Sequence, residues 1–234
     1  MQRSGLIFHL LLALTSALVF YLIYFIFLHT PTAQPESGGF AQKIFYFHVP
    51  SAYAMYLSGV VCFAASAAFL VRPTDARNAW AQAGAECAVL FSLLVLTSGP
   101  LWAKKAWGVY WTWDPRLTTL LLSALIYAAI VVVRTFVGDG EPERRFVAAI
   151  GVLGTVNLPI IHYSVQKWGG NHPTVITGRG GGLRSVEMRE ALWLGFATMT
   201  LLTIMLLWAR ARSAWLRSRV DSLEERMLDA GLEL

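Results

Sequence analysis

The stretch GLIFHLLLALTSALVFYLIYFIFL, Gly5–Leu28, decides the fold. It runs for 24 residues without an Asp, Glu, Lys or Arg. In a helix rising ~1.5 Å per residue, roughly 20 apolar residues cross the ~30 Å of hydrocarbon in a bilayer. A secretory signal would carry a shorter apolar region behind a basic lead. Here Arg3 alone precedes a run of full spanning length, so the segment is expected to be a retained first membrane helix.

Five further runs of similar character follow, at about Val49–Val71, Gly84–Trp102, Thr118–Val137, Phe146–His162 and Ala191–Trp208. The 234-residue chain is 56% hydrophobic and only 14% charged, against about 25% charged in soluble domains. The runs are too long and too continuous for the short alternating strands of a membrane β-barrel. The expected fold is therefore all-α: a polytopic membrane helix bundle of six transmembrane helices. It forms a single domain over residues 1–234, with no room for a separate soluble core. Beyond the last run, Leu216, Val220, Leu223, Met227 and Leu228 recur at helical spacing among charged residues. That pattern predicts a cytoplasmic C-terminal helix over 213–234, continuing the last span along a surface or interface.

The net charge is +5, but the basic residues flank the spans and form no block, which argues against nucleic acid as a partner and for membrane lipid. Six spans place both termini on one side. If that side is cytoplasmic, the inner segments hold Arg3, Arg72, Arg77, Arg134, Arg144, Arg145, Arg210, Arg212, Arg217, Arg219 and Arg226. The outer segments hold Lys43, Lys104, Lys105, Arg116, Lys167, Arg179, Arg184 and Arg189. The bias favours cytoplasmic termini. The outer basic residues need a reason, and an anionic ligand on that face supplies one; simple tolerance during translocation is the alternative. Cys62 and Cys87 fall inside apolar runs, with no CxxCH anywhere in the chain, and read as packing residues. Glu86, near the start of a span, reads as a partly hydrated acid at the inner interface.

The densest chemistry lies in Trp107-Gly-Val-Tyr-Trp-Thr-Trp-Asp-Pro-Arg-Leu-Thr118, between the third and fourth spans. An interfacial aromatic belt accounts for scattered Trp such as Trp193 and Trp208. It does not account for Trp107, Tyr110, Trp111 and Trp113 within seven residues, beside Asp114 and Arg116. Large rigid aromatics with a polar pair suit a flat apolar ligand. Of the five histidines, His9 and His29 read as structural. His48, in Tyr46-Phe-His-Val-Pro50, is expected at a helix start, with Pro50 in the first turn. His172 lies in Gly169-Gly-Asn-His-Pro173, between the last two spans, and His162 is expected to buttress that loop. Six spans put His48, His172 and the Trp-rich loop on one face. Two neutral imidazoles there can bind iron from opposite sides of a macrocycle. Lys104, Lys105, Arg116, Arg179, Arg184 and Arg189 are candidates for its carboxylates. A bare transition-metal site is the competing reading, but two His without Cys or paired carboxylates make a poor cage. The Gly178–Gly182 stretch shows no phosphate-cradle pattern and reads as a mobile loop.

The Trp107–Thr118 segment resembles the WWD signature of haem-handling membrane proteins. Phe47-His-Val-Pro-Ser-Ala52 and Val156-Asn-Leu-Pro-Ile-Ile-His-Tyr-Ser-Val165, followed by His172, are similar to the CcmC (haem exporter protein C) branch of system I cytochrome c maturation. The resemblance covers essentially the whole chain. It implies non-covalent binding of haem b at the periplasmic face of the bacterial inner (plasma) membrane, and delivery to the periplasmic haem chaperone CcmE. It further implies the ABC transporter subunits CcmA and CcmB and the small membrane protein CcmD as partners, and a delivery role in place of catalysis. By position, His48 and His172 take the axial-ligand roles. Trp107, Gly108, Tyr110, Trp111, Trp113, Asp114 and Arg116 take the WWD roles, with Tyr110 where Trp is common in the family. The alternatives are a permease for haem or another solute, which would need broken or polar helices near mid-membrane, and a haem–apocytochrome synthetase, whose relatives are larger.

Overall fold

The computed structural model describes residues 2–35, 38–136, 140–172 and 182–231, and among these it is built of helices and their connections. In chain order they are α1 (Gln2–Tyr24), a π-helical turn (Phe25–His29), a 3-10 turn (Gly39–Ile44), α2 (Phe45–Val71), α3 (Asp75–Trp107), α4 (Pro115–Phe136), α5 (Glu141–Thr155), α6 (Asn157–Trp168) and α7 (Val186–Asp229). Six stretches are long and apolar enough to cross a membrane, α5 and α6 together making the fifth. Val137, at the expected end of the fourth span, lies outside the described residues.

The packing is that of a membrane bundle, where small residues let backbones approach. Along α3, Ala81, Ala83, Ala85 and Ala88 are buried. A Cβ on Gly84 would stand 2.5 Å from the backbone nitrogen of Cys62 on α2. Both cysteines are free and buried in this core, the packing role expected of them. α1 lies at the periphery against α7, through contacts such as Phe8 with Trp208 at 5.8 Å between ring centres.

Helix boundaries depart from the sequence expectation in three places. α2 begins at Phe45, behind a 3-10 turn, so His48 and Pro50 sit within the helix and not at its start. Pro50 cannot donate to the Tyr46 carbonyl, and α7 closes on that point: a Cβ on Gly195 would meet the Tyr46 carbonyl oxygen at 2.7 Å. α3 extends to Trp107, so Lys104 and Lys105 are helical and the connection to α4 shrinks to 108–114. The fifth span is broken at Val156. Pro159 has no N–H for the Thr155 carbonyl, and the Val156 N–H turns to Leu153 at 3.2 Å.

The two ends of the bundle are distinct. At one, the links around Gln34, 108–114 and 169–172 meet: Arg184 donates to Gln34 (2.7 Å) and the Asn171 N–H to Asp114 (2.7 Å). At the other, Arg144 pairs with Asp75 (2.8 Å) and Arg210 with Glu86 (2.6 Å). Glu86 is thus one half of an ion pair between α3 and α7. The tail helix continues the last span as expected: α7 runs unbroken for 44 residues, through Trp208 and on to Asp229.

Candidate functional site

His48 projects from α2 onto α3, where Ser98 and Gly99 make its seat. A Cβ on Gly99 would lie 3.0 Å from the His48 Cε1, so a glycine keeps the ring's place open. His48 Nδ1 lies 2.9 Å from the Ser98 hydroxyl oxygen. That hydroxyl has one hydrogen, and it goes to the Leu94 carbonyl at 2.6 Å. Ser98 therefore accepts from His48 Nδ1–H, and Nε2 keeps its lone pair, the arrangement of a metal-binding imidazole whose other nitrogen is anchored.

His172 is held from the Trp-rich connection. Asp114 caps α4: its Oδ1 accepts from the Arg116 N–H at 2.8 Å. Its Oδ2 accepts from the N–H of Asn171 at 2.7 Å and of His172 at 3.4 Å. Asp114 is only 5% exposed and staples the two connections together. Gly170 makes this possible. Its φ of 142° is open to glycine, and any Cβ there would run into the Asp114 carboxylate. Arg116 completes the joint, donating through one terminal nitrogen to His172 Nδ1 (3.2 Å) and through the other to the His162 carbonyl (3.0 Å). His162 supports the loop through its backbone, while its ring stands edge-on to Tyr163.

The aromatics form two edge-to-face pairs, Trp102 with Trp107 at 5.3 Å and Trp111 with Trp113 at 5.8 Å. Trp113 is 76% exposed. It borders an open recess of about 320 Å³ lined by Thr112, Asp114, Pro115, Trp168, Gly169, Gly170 and Asn171. Three polar atoms in this connection and the first turn of α4 are buried without a hydrogen-bond partner: Trp111 Nε1, Thr112 Oγ1 and Arg116 Nε. Tyr110 is exposed, with the Lys104 ammonium 5.2 Å from its ring centre. Lys104 also donates to the Gly108 carbonyl at 2.9 Å.

The remaining sequence candidates are elsewhere. His9 donates to the Gly5 carbonyl at 2.7 Å, and His29 packs on Tyr24 and Phe25. Arg184 is spent on Gln34, and Arg179, with most of Gly178–Gly182, lies outside the described residues. Lys43 is no surface charge: buried, it donates to the carbonyls of Ile26 (2.6 Å) and Thr30 (2.9 Å), closing the π-helical end of the first span. Ser98, Gly99 and Gly170 escaped the sequence reading. Gly170 was visible in the Gly-Gly pair before Asn171. Nothing local marked Ser98 or Gly99, whose role depends on how α2 meets α3.

Residues 1–226 match the family profile described as Heme exporter protein C, CcmC. The chain belongs to the haem exporter protein C family. Proteins of that name are 35% identical to it in Bradyrhizobium diazoefficiens, over 80% of this chain and 71% of the relative, and 35% identical in Escherichia coli K12. The Escherichia coli match covers 57% of this chain and 55% of the relative. The Rhodobacter capsulatus protein of the same name is 26% identical over 97% of this chain and 93% of its own length. The family and the six spans make this a multi-pass membrane protein of haem handling, consistent with cytochrome c maturation.

Proposed function

We propose that this chain binds haem b non-covalently at the periplasmic face of a bacterial inner membrane and presents it to the chaperone CcmE. CcmA, CcmB and CcmD are the accompanying subunits, both termini are cytoplasmic, and the chain is a delivery component with no catalysis of its own. The observation that carries the reading is the joint between two connections that are far apart in sequence: Asp114 and Arg116 hold the His172 loop against the Trp-rich segment, on the same end of the bundle as His48. The donor set fits the ligand. His48 and His172 supply axial nitrogens, Trp111 and Trp113 an aromatic wall, and Trp111 Nε1, Thr112 Oγ1 and Arg116 Nε unpartnered polar atoms for propionate carboxylates. Among the described residues no three His, Cys, Asp or Glu gather as a bare metal ion requires, whereas a porphyrin brings its own four equatorial nitrogens.

The broken fifth span bears on the permease alternative, because such breaks can line a transport path. Here the polar groups at the break are spent on one another. Asn157 donates to the Thr119 carbonyl and the Ser123 hydroxyl, both at 2.7 Å, and the Tyr127 hydroxyl lies 3.4 Å from that of Thr155. This supports binding at the surface over passage through the bundle.

The protein purified with haem should give a six-coordinate low-spin visible spectrum. His48→Ala and His172→Ala should each lose it, with partial rescue by added imidazole, and His9→Ala, His29→Ala and His162→Ala should keep it. A low-spin spectrum that survives the His48→Ala/His172→Ala double change would overturn the assignment. Reporter fusions after Arg226 and within Gly178–Gly182 should read opposite compartments; the same compartment for both would overturn the orientation.

A further inference from the structure

The two histidines are held in opposite hydrogen-bonding states. His48 donates from Nδ1 to Ser98 and offers Nε2. His172 receives Arg116 at Nδ1. A guanidinium only donates, so the Nδ1 lone pair is occupied and the single hydrogen of the neutral ring sits on Nε2. Neither nitrogen of His172 then has a lone pair to give to iron. Coordination through either one requires Arg116 to let go.

We propose that Arg116 is a latch on the second axial ligand, opened when a haem propionate draws its guanidinium away from His172. The inference rests on the haem-binding reading above. Three features make the exchange local. Arg116 Nε is buried without a partner, as are Trp111 Nε1 and Thr112 Oγ1 five and four residues before it in the chain, so a carboxylate arriving at this segment meets donors without a protein partner. The bond from Arg116 to the His162 carbonyl can serve as a pivot on α6 about which the planar guanidinium turns away from His172. Asp114 holds the His172 backbone N–H, so the loop stays in place when Arg116 moves. With Arg116 away, the ring hydrogen can pass from Nε2 to Nδ1 through solvent, with no net gain or loss of a proton, and a ring lone pair becomes available to iron. The carboxylate arm of the ligand is thereby read before the second iron bond forms, and a macrocycle without free carboxylates is held by His48 alone.

The test uses the purified full-length chain with haem b and with haem b dimethyl ester, each at saturating concentration, followed by visible spectroscopy. With haem b the parent should be six-coordinate and low-spin. With the ester it should be five-coordinate and should match the spectrum of His172→Ala with haem b. Arg116→Ala should recover the six-coordinate spectrum with the ester. The latch is overturned if the parent is six-coordinate with the ester, if the ester does not bind at all, or if Arg116→Ala with the ester stays five-coordinate. The parent–ester comparison needs no variant of Arg116 and stands even if Arg116→Ala does not fold. Failure of the underlying reading looks different: the haem b spectrum itself would then be indifferent to His48→Ala and His172→Ala.

Discussion

On the proposed orientation, the inner and outer ends of the bundle both carry basic residues and use them differently. At the inner end five arginines are spent on the protein. Arg144 pairs with Asp75, Arg210 with Glu86 and Arg145 with Glu141, while Arg77 donates to the carbonyls of Ala68 and Arg72, and Arg134 to Asn78. At the outer end Lys43 is equally spent, on the carbonyls that close the first span. The Trp-rich connection and the first turn of α4 differ, with three buried polar atoms left unfilled within six residues. An unmade hydrogen bond on a buried group costs about 1–3 kcal/mol. The difference teaches where unfilled atoms gather: the arginines of one end close on acceptors of the protein, while three of the buried polar atoms left unfilled among the described residues fall within the six residues from Trp111 to Arg116.

The largest blow to that contrast should come from Asp114→Ala. It removes the acceptor for three backbone N–H groups and lets the His172 loop part from the Trp-rich connection. Hydrogen bonds to a charged group contribute about 1.5–3 kcal/mol each, so haem retention should fall by about 100-fold or more while far-ultraviolet circular dichroism stays helical. Unchanged retention would mean that the joint is irrelevant to the ligand. Trp113→Ala is next. The ring is mostly exposed, so its loss should leave thermal stability alone and weaken haem binding by on the order of 2 kcal/mol, if the ligand covers it. Equal affinity in parent and variant would reduce Trp113 to a membrane anchor. Glu86→Gln should do least. It breaks a partly exposed ion pair at the inner end, for a stability loss below about 1 kcal/mol, with the haem spectrum untouched. A spectral change there would couple the two ends and dissolve the contrast.

Hydropathy made the six spans legible, because a bilayer demands continuous apolar length and little else resembles it. Counting those spans was enough to put His48, His172 and Trp107–Thr118 on one end. What stayed hidden was mostly long-range. Ser98 acts on His48 from fifty residues away, across the α2–α3 contact, and an isolated Ser in an apolar run looks like any other. Lys43 reads as a surface charge until the first span is seen to end on it. Pro50 was expected in a first turn because Pro favours that place, but the 3-10 turn before Phe45 moves it one turn inward. The break at Val156 had a local cause in Pro159, masked by an apolar run that reads as one span.

α7 is one straight element of 44 residues with no proline along it. At ~1.5 Å per residue it is about 66 Å long, roughly twice the hydrocarbon thickness. Its C-terminal stretch, from Trp215 to Asp229, is largely exposed. Were α7 rigid, a tilt of about 5° about its midpoint would carry its two tips through roughly 3 Å in opposite directions, which is the length of one hydrogen bond.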